Sequence, residues 1–516
     1  MRRDWTYAVE LPDERQIHHG FLTLVLVSII TAGTSFILVE TYGNIFAAVA
    51  CLMGGIIIIL SCYRLEWGFY FFIGMVLLFD QFPIPGFEPF TYDVLYFRNL
   101  KEITYLPTKL SEAVVNPLEL QLVLLLAIWF VVACFKRNLK IVRVPMWGSA
   151  AVFFLGLIGS LAYGLRRGGD LLPALWEVRA LFYLGILYVF VPQIIRTKKQ
   201  VHILISVCIG AISFKAFQGI ARYASLGFTF AGLPTLTNHE DPVFIFDLIL
   251  LLFGLVLFEA KTKQRTVLLW LLLPLIMGFY AGQRRATYAA IVPAIAVFIA
   301  VVPQKQRKVF LKTMTPVAAG LALYCAIFWN SESRLASPVR LVKTGFGVDP
   351  ETAGERYYSN LYREIEKYDL ARTIQDYPLL GIGFGNKYEM PLPLVKIDFP
   401  LRDYIPHNQI LWIIVKTGAI GYCLFCLFLN SYGCKAAFTL SKLNDPYLKA
   451  VCAVTVAAIV NQLVVSYYDL QLTYYRNMVF LGTWMGMLSS CVMIEANRKK
   501  STVNPDKGEV KTSVDM

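Results

Sequence analysis

Residues 266–303 read TVLLWLLLPLIMGFYAGQRRATYAAIVPAIAVFIAVVP, two apolar runs broken at Gln283, Arg284 and Arg285. A helix crosses the hydrocarbon core of a bilayer with about 20 predominantly apolar residues. The two runs are therefore closely spaced spans with a charged tip between them. The same texture extends in both directions, because runs of this kind recur from Phe21 to Ile494. About fourteen spans are expected, or twelve to thirteen if short runs near residues 266–303 and 448–494 merge or fail to cross. Of the 516 residues 57% are hydrophobic and 16% charged, with a mean hydropathy of +0.57. This composition implies an all-α polytopic membrane protein and leaves little room for a soluble domain.

The net charge of +13 could indicate a nucleic-acid partner, but its distribution argues against one. The basic residues gather in short gaps between apolar runs: Lys136/Arg137/Lys140/Arg143, Arg196/Lys198/Lys199, Lys261/Lys263/Arg265, Lys305/Arg307/Lys308 and Arg498/Lys499/Lys500. Cytoplasmic gaps of membrane proteins carry such an excess. With residues 1–20 in the cytoplasm and fourteen spans threaded, every cluster falls on the cytoplasmic side. Both termini are then inside, with residues 495–516 a polar tail. The run at 21–39 lacks a small-residue cleavage pattern and reads as an uncleaved anchor. None of the ten cysteines lies in the long external segment, so a disulfide framework is not expected.

Two long segments remain for the external face, residues 84–116 and 331–405. The second carries ten Lys/Arg and eleven Asp/Glu, a mixed charge that suits a folded, water-exposed element. Within it Leu361, Ile365, Tyr368 and Ile374 recur at near-helical spacing, while Arg356, Asn360, Arg363 and Lys367 share another face. The helix should end before Pro378. The glycine-rich PLLGIGFGN that follows should form a turn. GIGFGN lacks the strand-and-helix setting of a dinucleotide fingerprint.

Arg284 and Arg285 are external by this threading, against the positive-inside trend. They either snorkel to the interface or bind an anion, since a guanidinium offers a fork of donors to phosphate oxygens. Arg356 and Arg363 sit among Glu364, Glu366 and Asp369, where solvation or salt bridging is the alternative to a role in binding. His407, in IPHNQILWIIVKTGAIGY, stands where the loop meets the next span, and its ordinary pKa of about 6.5 lets it take a proton near neutrality. Glu177 and Arg179 lie in an apolar run and His239, Glu240 and Asp241 beside one. Intramembrane charges cost about 2.5 to 3.5 kcal/mol each, so both groups are functional candidates. No HExxH or CxxC occurs, and no metal site or cofactor is expected.

Three of these features, in this order, make the chain resemble the O-antigen ligase and Wzy-type polysaccharide polymerase family over residues 240–430. They are QRRATYAA, YREIEKYDLARTIQDYPLLGIGFGN and HNQILWIIVKTGAIGY. The resemblance implies a GT-C-like glycosyltransferase architecture, with an N-terminal bundle at 21–239, the ligase-like domain at 240–430 and further spans at 431–494. It implies an inverting, metal-independent transfer of glycan from a polyprenyl pyrophosphate carrier to an acceptor hydroxyl at the outer face of the cytoplasmic membrane. Arg285, with Arg284, and Arg363 would bind the pyrophosphate, and His407 would be the catalytic base; Arg179, outside the resembling segment, is a further pyrophosphate candidate as an intramembrane charge. Arg356, Glu177 and Glu240 are secondary candidates. Partners would be the lipid-linked donor, a glycan or lipid acceptor, membrane lipids and other polysaccharide assembly proteins, with no nucleic acid. The chain departs from the family pattern at Arg284, where a small polar residue is usual, and at Lys367, where an aromatic is usual. A transporter or flippase for lipid-linked oligosaccharide is the competing class. It should show midplane charges and inverted repeats.

Overall fold

The computed structural model describes residues 14–40, 43, 45–102, 114–135, 141–331, 333, 336–343, 355–394, 399 and 401–503. The segment before residue 14, Lys136, Arg137 and Lys140, and the tail from residue 504 lie outside the described residues. Among those described the chain is helical, with no strand. The helices are α1 Glu14–Glu40, α2 Ile45–Tyr63, α3 Leu65–Leu78, α4 Phe90–Asp93, α5 Pro117–Phe135, α6 Trp147–Arg166, α7 Leu171–Ile194, α8 Lys198–Ser225 and α9 Asp241–Leu257. They continue with α10 Lys263–Ala281, α11 Arg285–Val301, α12 Gln304–Phe328, α13 Ser337–Lys343, α14 Glu355–Asp376, α15 Gln409–Lys442, α16 Pro446–Tyr468 and α17 Tyr475–Val503. Nine of the described helices are long and apolar enough to cross a membrane, and four shorter apolar helices accompany them, among them α3 and α11. The molecule is a polytopic membrane protein.

Contacts divide the chain into two units, residues 1–72 with 95–139, and residues 73–94 with 140–516. In the first, α2 packs on both α1 and α5, and the Tyr96 hydroxyl donates to Gln121 Oε1 at 2.6 Å. The second holds everything discussed below. Its centre is α17 against α7, where a Cβ at Gly482 or Gly486 would run into Leu184, Leu187 or Val191. Small residues one turn apart let two apolar helices approach closely where no hydrophobic drive separates protein from lipid. Around this pair α16 packs on α9, α11 and α15, α10 on α8 and α9, and α15 on α6.

Buried ions pin the second unit. Arg476, at the start of α17, donates to the carbonyls of Val76 and Leu77 at 3.1 and 2.8 Å and to Asp241 at 2.8 Å. Lys215 meets Asp80 at 2.8 Å, and Asn238 donates to the same carboxylate at 3.0 Å. Removing one member would strand a buried charge, at a cost of about 3 to 5 kcal/mol.

The expected helix in the long loop is α14, which stops at Asp376 ahead of Pro378. Its apolar face differs in part from the one expected. Leu361 and Tyr368 are exposed, whereas Leu370 and Ile374 enter a cluster with Tyr377, Ile382, Tyr388 and Val415. The buried residues of α14, Glu366, Asp369, Leu370 and Thr373, lie in its second half, so the burial stripe begins later than the periodicity does. The glycine-rich turn then docks against a break in α15. Gly418 has φ 66°, a left-handed conformation that glycine adopts without a Cβ clash. The break frees backbone groups, and the turn takes them up. Ile382 and Gly383 donate to Val415 and Lys416 carbonyls at 2.8 and 3.0 Å, and Ala419 donates to Pro378 at 2.8 Å.

Candidate functional site

Three polar ends meet at one place in the second unit: the start of α11, one face of α14, and the loop that enters α15. Asn408 caps α15, its Oδ1 accepting from the Leu411 N–H at 3.0 Å. Such a cap stabilises a helix by about 1 kcal/mol and holds the preceding residue, His407, at the helix mouth. Arg284 stands at the N-cap of α11 and Arg285 in its first turn. The positive ends of two helix dipoles are thus turned toward the same region.

Between them lies a cleft of about 300 Å³. Arg285 and Ala289 line it from α11, Asn360, Arg363, Glu366 and Lys367 from α14, His407 and Asn408 from the loop, and Tyr467 and Tyr468 from the end of α16. Arg285, Arg363 and His407, far apart in sequence, share this wall. So do Asn360 and Lys367, the face anticipated for α14.

His407 is held on three sides. Its Nδ1 faces Glu366 Oε1 at 3.0 Å, its backbone N–H donates to Glu366 Oε2 at 2.9 Å, and the Tyr362 ring meets it edge-on at 5.4 Å. Glu366 is buried, with a side-chain exposure of 1%, whereas the imidazole retains 23%. A carboxylate on Nδ1 directs that nitrogen to carry a proton and leaves Nε2 as the basic atom. Burial pushes the Tyr362 phenol up to about 12, with the Glu366 charge adding to it.

A second ionic group sits beside the first. Asp469, just past α16, receives Arg284 Nη1 at 3.5 Å and faces His239 Nδ1 at 3.8 Å. Burial alone would raise the Asp469 carboxyl, but Arg284, then His239, Arg363 and His407, hold it below the usual carboxylate range. Burial and the Arg284 guanidinium lower His239 to about 3, so it stays neutral near pH 7. Several donors around the cleft lack a hydrogen-bond partner among the described residues: the buried Nε atoms of Arg284 and Arg363, and Asn408 Nδ2.

The remaining expected residues lie elsewhere. Glu177 is fully buried against Lys416 Nζ at 2.7 Å and accepts from the Gly385 N–H at 2.6 Å, which fastens the glycine turn to α7. Arg179, buried in the same helix, is not among the residues lining the cleft. Glu240 faces Arg476 at 3.5 Å, and burial raises its carboxyl to about 7. Arg356 is in the first turn of α14, and its side chain lies outside the described residues. Among the described residues no His, Cys, Asp and Glu group could hold a metal ion.

Glu366 and Asp469 were not anticipated. Glu366 had a local signal, three residues after Arg363 on the same helical face. Asp469 had none, since its partners lie about 60 to 230 residues away. Residues 267–426 match the family model described as O-antigen ligase, a segment that runs from α10 through the first half of α15 and contains Arg285, Arg363, Glu366 and His407. A comparison with curated proteins returned no match. Over residues 267–426 the chain is thus similar to the O-antigen ligase family.

Proposed function

We propose that the chain is a membrane glycosyltransferase that passes a glycan from a polyprenyl pyrophosphate carrier to an acceptor hydroxyl. The observation that carries this reading is the pairing, in one cleft, of the Arg285 and Arg363 guanidiniums and a histidine fixed by a buried carboxylate. Guanidinium groups and helix N-termini suit a diphosphate, and an oriented imidazole suits an attacking hydroxyl.

In this reading Arg285 and Arg363 bind the pyrophosphate, with Arg284, fixed by Asp469, adding field from behind. The acceptor oxygen attacks the sugar C1 and the bond from C1 to the phosphate oxygen breaks. The electron pair leaves on the carrier pyrophosphate, whose growing charge the arginines stabilise. The hydroxyl proton passes to His407 Nε2, and Glu366 stabilises the imidazolium that results. Attack opposite the leaving group inverts the anomeric centre. The substrate brings its own leaving group, so neither metal nor cofactor is needed. Arg179 is the least supported of the proposed pyrophosphate ligands, Glu177 and Glu240 are supporting residues, each facing a buried cation, and Arg356 remains a secondary candidate.

The finer topology belongs to the same proposal: about fourteen spans in a GT-C-like arrangement, both termini in the cytoplasm, and the cleft on the outer side of the inner membrane. An undecaprenyl carrier is the expected donor lipid. The transporter alternative draws on one observation, the buried Lys215–Asp80 pair inside the bundle. Both members of that pair are already satisfied by protein groups, which favours a structural role.

Alanine at Arg363 and at His407, at unchanged membrane abundance, should abolish polysaccharide assembly. Wild-type glycan from both variants would refute the site. Deletion of the gene separates the two acceptor classes. Single repeats still attached to their anchor identify a polymerase, and full-length polymer stranded on carrier lipid identifies a ligase.

A further inference from the structure

A larger cavity, of about 490 Å³, lies away from the cationic cleft, between the start of α6 and the end of α7. Trp147, Ala151 and Phe154 line it from α6, and Gly185, Tyr188 and Val189 from α7. Positions 147, 151 and 154 are spaced four and three apart and so share one helix face, which runs about 10 Å along the axis. Its floor is where the two helices close on each other, since a Cβ at Gly185 would stand 2.5 Å from the Phe154 ring. Both helices are span-length, at 20 and 24 residues, so the cavity is a groove along membrane-spanning segments.

The mouth of the groove is positive. Arg143 lines it, and no acidic residue does. The Gln193 side chain pairs with the Val142 N–H and carbonyl at 3.0 and 2.8 Å, and Arg196 Nε donates to the Gln193 carbonyl at 2.8 Å, which brings a second guanidinium to the same end. No side chain caps α6, so its first N–H groups face out of the helix end toward the mouth. Met146, the residue before them, is left-handed at φ 56°, and the Tyr188 hydroxyl holds the turn by donating to the Pro145 carbonyl. Backbone strain at a residue with a side chain collects at ligand clamps.

We propose that this groove seats an anionic phospholipid, with its phosphate at Arg143 and the α6 N-terminus and one acyl chain between α6 and α7. The proposal is independent of the glycosyl-transfer reading. A guanidinium and the N–H groups of a helix end suit a phosphate, and basic pockets between membrane helices take such heads. With no carboxylate in the lining, nothing there would meet the ammonium of a zwitterionic lipid, which favours the phosphatidylglycerol class. Trp147 is exposed at the junction, where an amphipathic ring suits the level of the headgroups. Both arginines come from basic gaps that the threading puts in the cytoplasm, so the lipid would belong to the inner leaflet.

Trp147 also serves as the probe. The full-length chain in detergent is titrated with phosphatidylglycerol and with phosphatidylcholine, each carrying brominated acyl chains. The quenching due to Trp147 is the difference between wild type and Trp147→Phe. Phosphatidylglycerol should quench Trp147 at about one tenth of the concentration that phosphatidylcholine needs, and Arg143→Ala should erase that preference. Equal quenching by the two lipids would make the groove a general lipid seat and overturn the proposal, as would a preference that survives Arg143→Ala. Absence of Trp147 quenching by either lipid removes the acyl-chain seat. Glycerol 3-phosphate, a head without a tail, should leave the quenching unchanged at the same concentration. Full displacement by it would mean that the site takes a soluble phosphate, against the proposal. Ala151→Phe, which fills the groove, should abolish the Trp147 quenching, and quenching at the wild-type level in this variant would count against the seat. The comparison of the two lipids on the wild-type chain stands even if this variant misfolds.

Discussion

Two charged regions of the second unit obey different rules. Around Asp445, Lys198 approaches to 2.6 Å and Arg498 to 3.6 Å, yet these two cations keep side-chain exposures of 44% and 53%. Around the cleft, Arg284 is 19% exposed, Glu366 1% and Asp469 6%, and each faces a partner from a distant helix or loop. The first region consists of exposed long side chains, Lys198 at the start of α8 and Arg498 near the end of α17. Lys198 and Lys199 in the first turn of α8, like Lys263 and Arg265 in that of α10, even oppose the helix dipole, so helix stability does not explain their position. Charge number and side are what such residues specify, and geometry is what the cleft residues specify.

The comparison breaks most sharply at His407. His407→Ala should lower transfer by about 10² to 10⁴, the scale of a lost general base, in a membrane assay normalised to protein abundance. Arg363→Ala and Arg285→Ala should each cost about 10² to 10³ through the leaving group, with Arg284→Ala milder because that guanidinium is already engaged by Asp469. Glu366→Gln keeps the volume but removes the charge that orients His407. A loss of about 10² in turnover is expected, with the pH dependence of the rate displaced and donor affinity kept. A pure loss of donor affinity would count against the positioning role.

Stability against pH sharpens the contrast further. The His239 imidazole is depressed to about 3, so below its ordinary 6.5 the unfolded chain takes up a proton that the folded chain refuses. Stability from His239 is therefore lost as pH falls from 6.5 toward 3, and His239→Asn should flatten that slope. Glu240, raised from 4.5 to about 7, works in the opposite sense: the folded chain holds the proton and stability declines as pH rises through that window. Glu240→Gln should remove that decline. Melting temperatures from pH 4.5 to 7 read both. At the other end the Lys198 ammonium and backbone donors hold Asp445 below 3.8 against the pull of burial, so its contribution is lost only in stronger acid. Lys198→Ala should be the mildest change, within about 1 kcal/mol of wild type in stability and silent in transfer.

Apolar run length and the basic gaps made the helical, membrane-embedded class legible, because hydrocarbon imposes helix on any exposed backbone. The α14 helix and its Asn360, Arg363 and Lys367 face were legible for a similar reason, as periodicity is local. Glu177 was read as a charge in want of a function. Its partner Lys416 lies 239 residues on, and nothing near either residue announces the pair. Asp469 stayed hidden likewise, because an ion pair between distant segments is a product of packing. The late onset of burial on α14 depends on the distant residues that Leu370 and Ile374 pack against, Ile382, Tyr388 and Val415.

The break at Gly418 also bears on how the molecule is made. A span enters the bilayer with its backbone paired within itself, but α15 in its finished form relies on residues 378–383 to satisfy Val415, Lys416 and Ala419. Until that turn docks, groups costing several kcal/mol each would face lipid unpaired. The segment thus has reason to enter as an unbroken helix and to open only when the preceding loop arrives. Biogenesis of the span and maturation of the cleft become one event. A lesion in the glycine turn would then surface first as a chain degraded by membrane quality control.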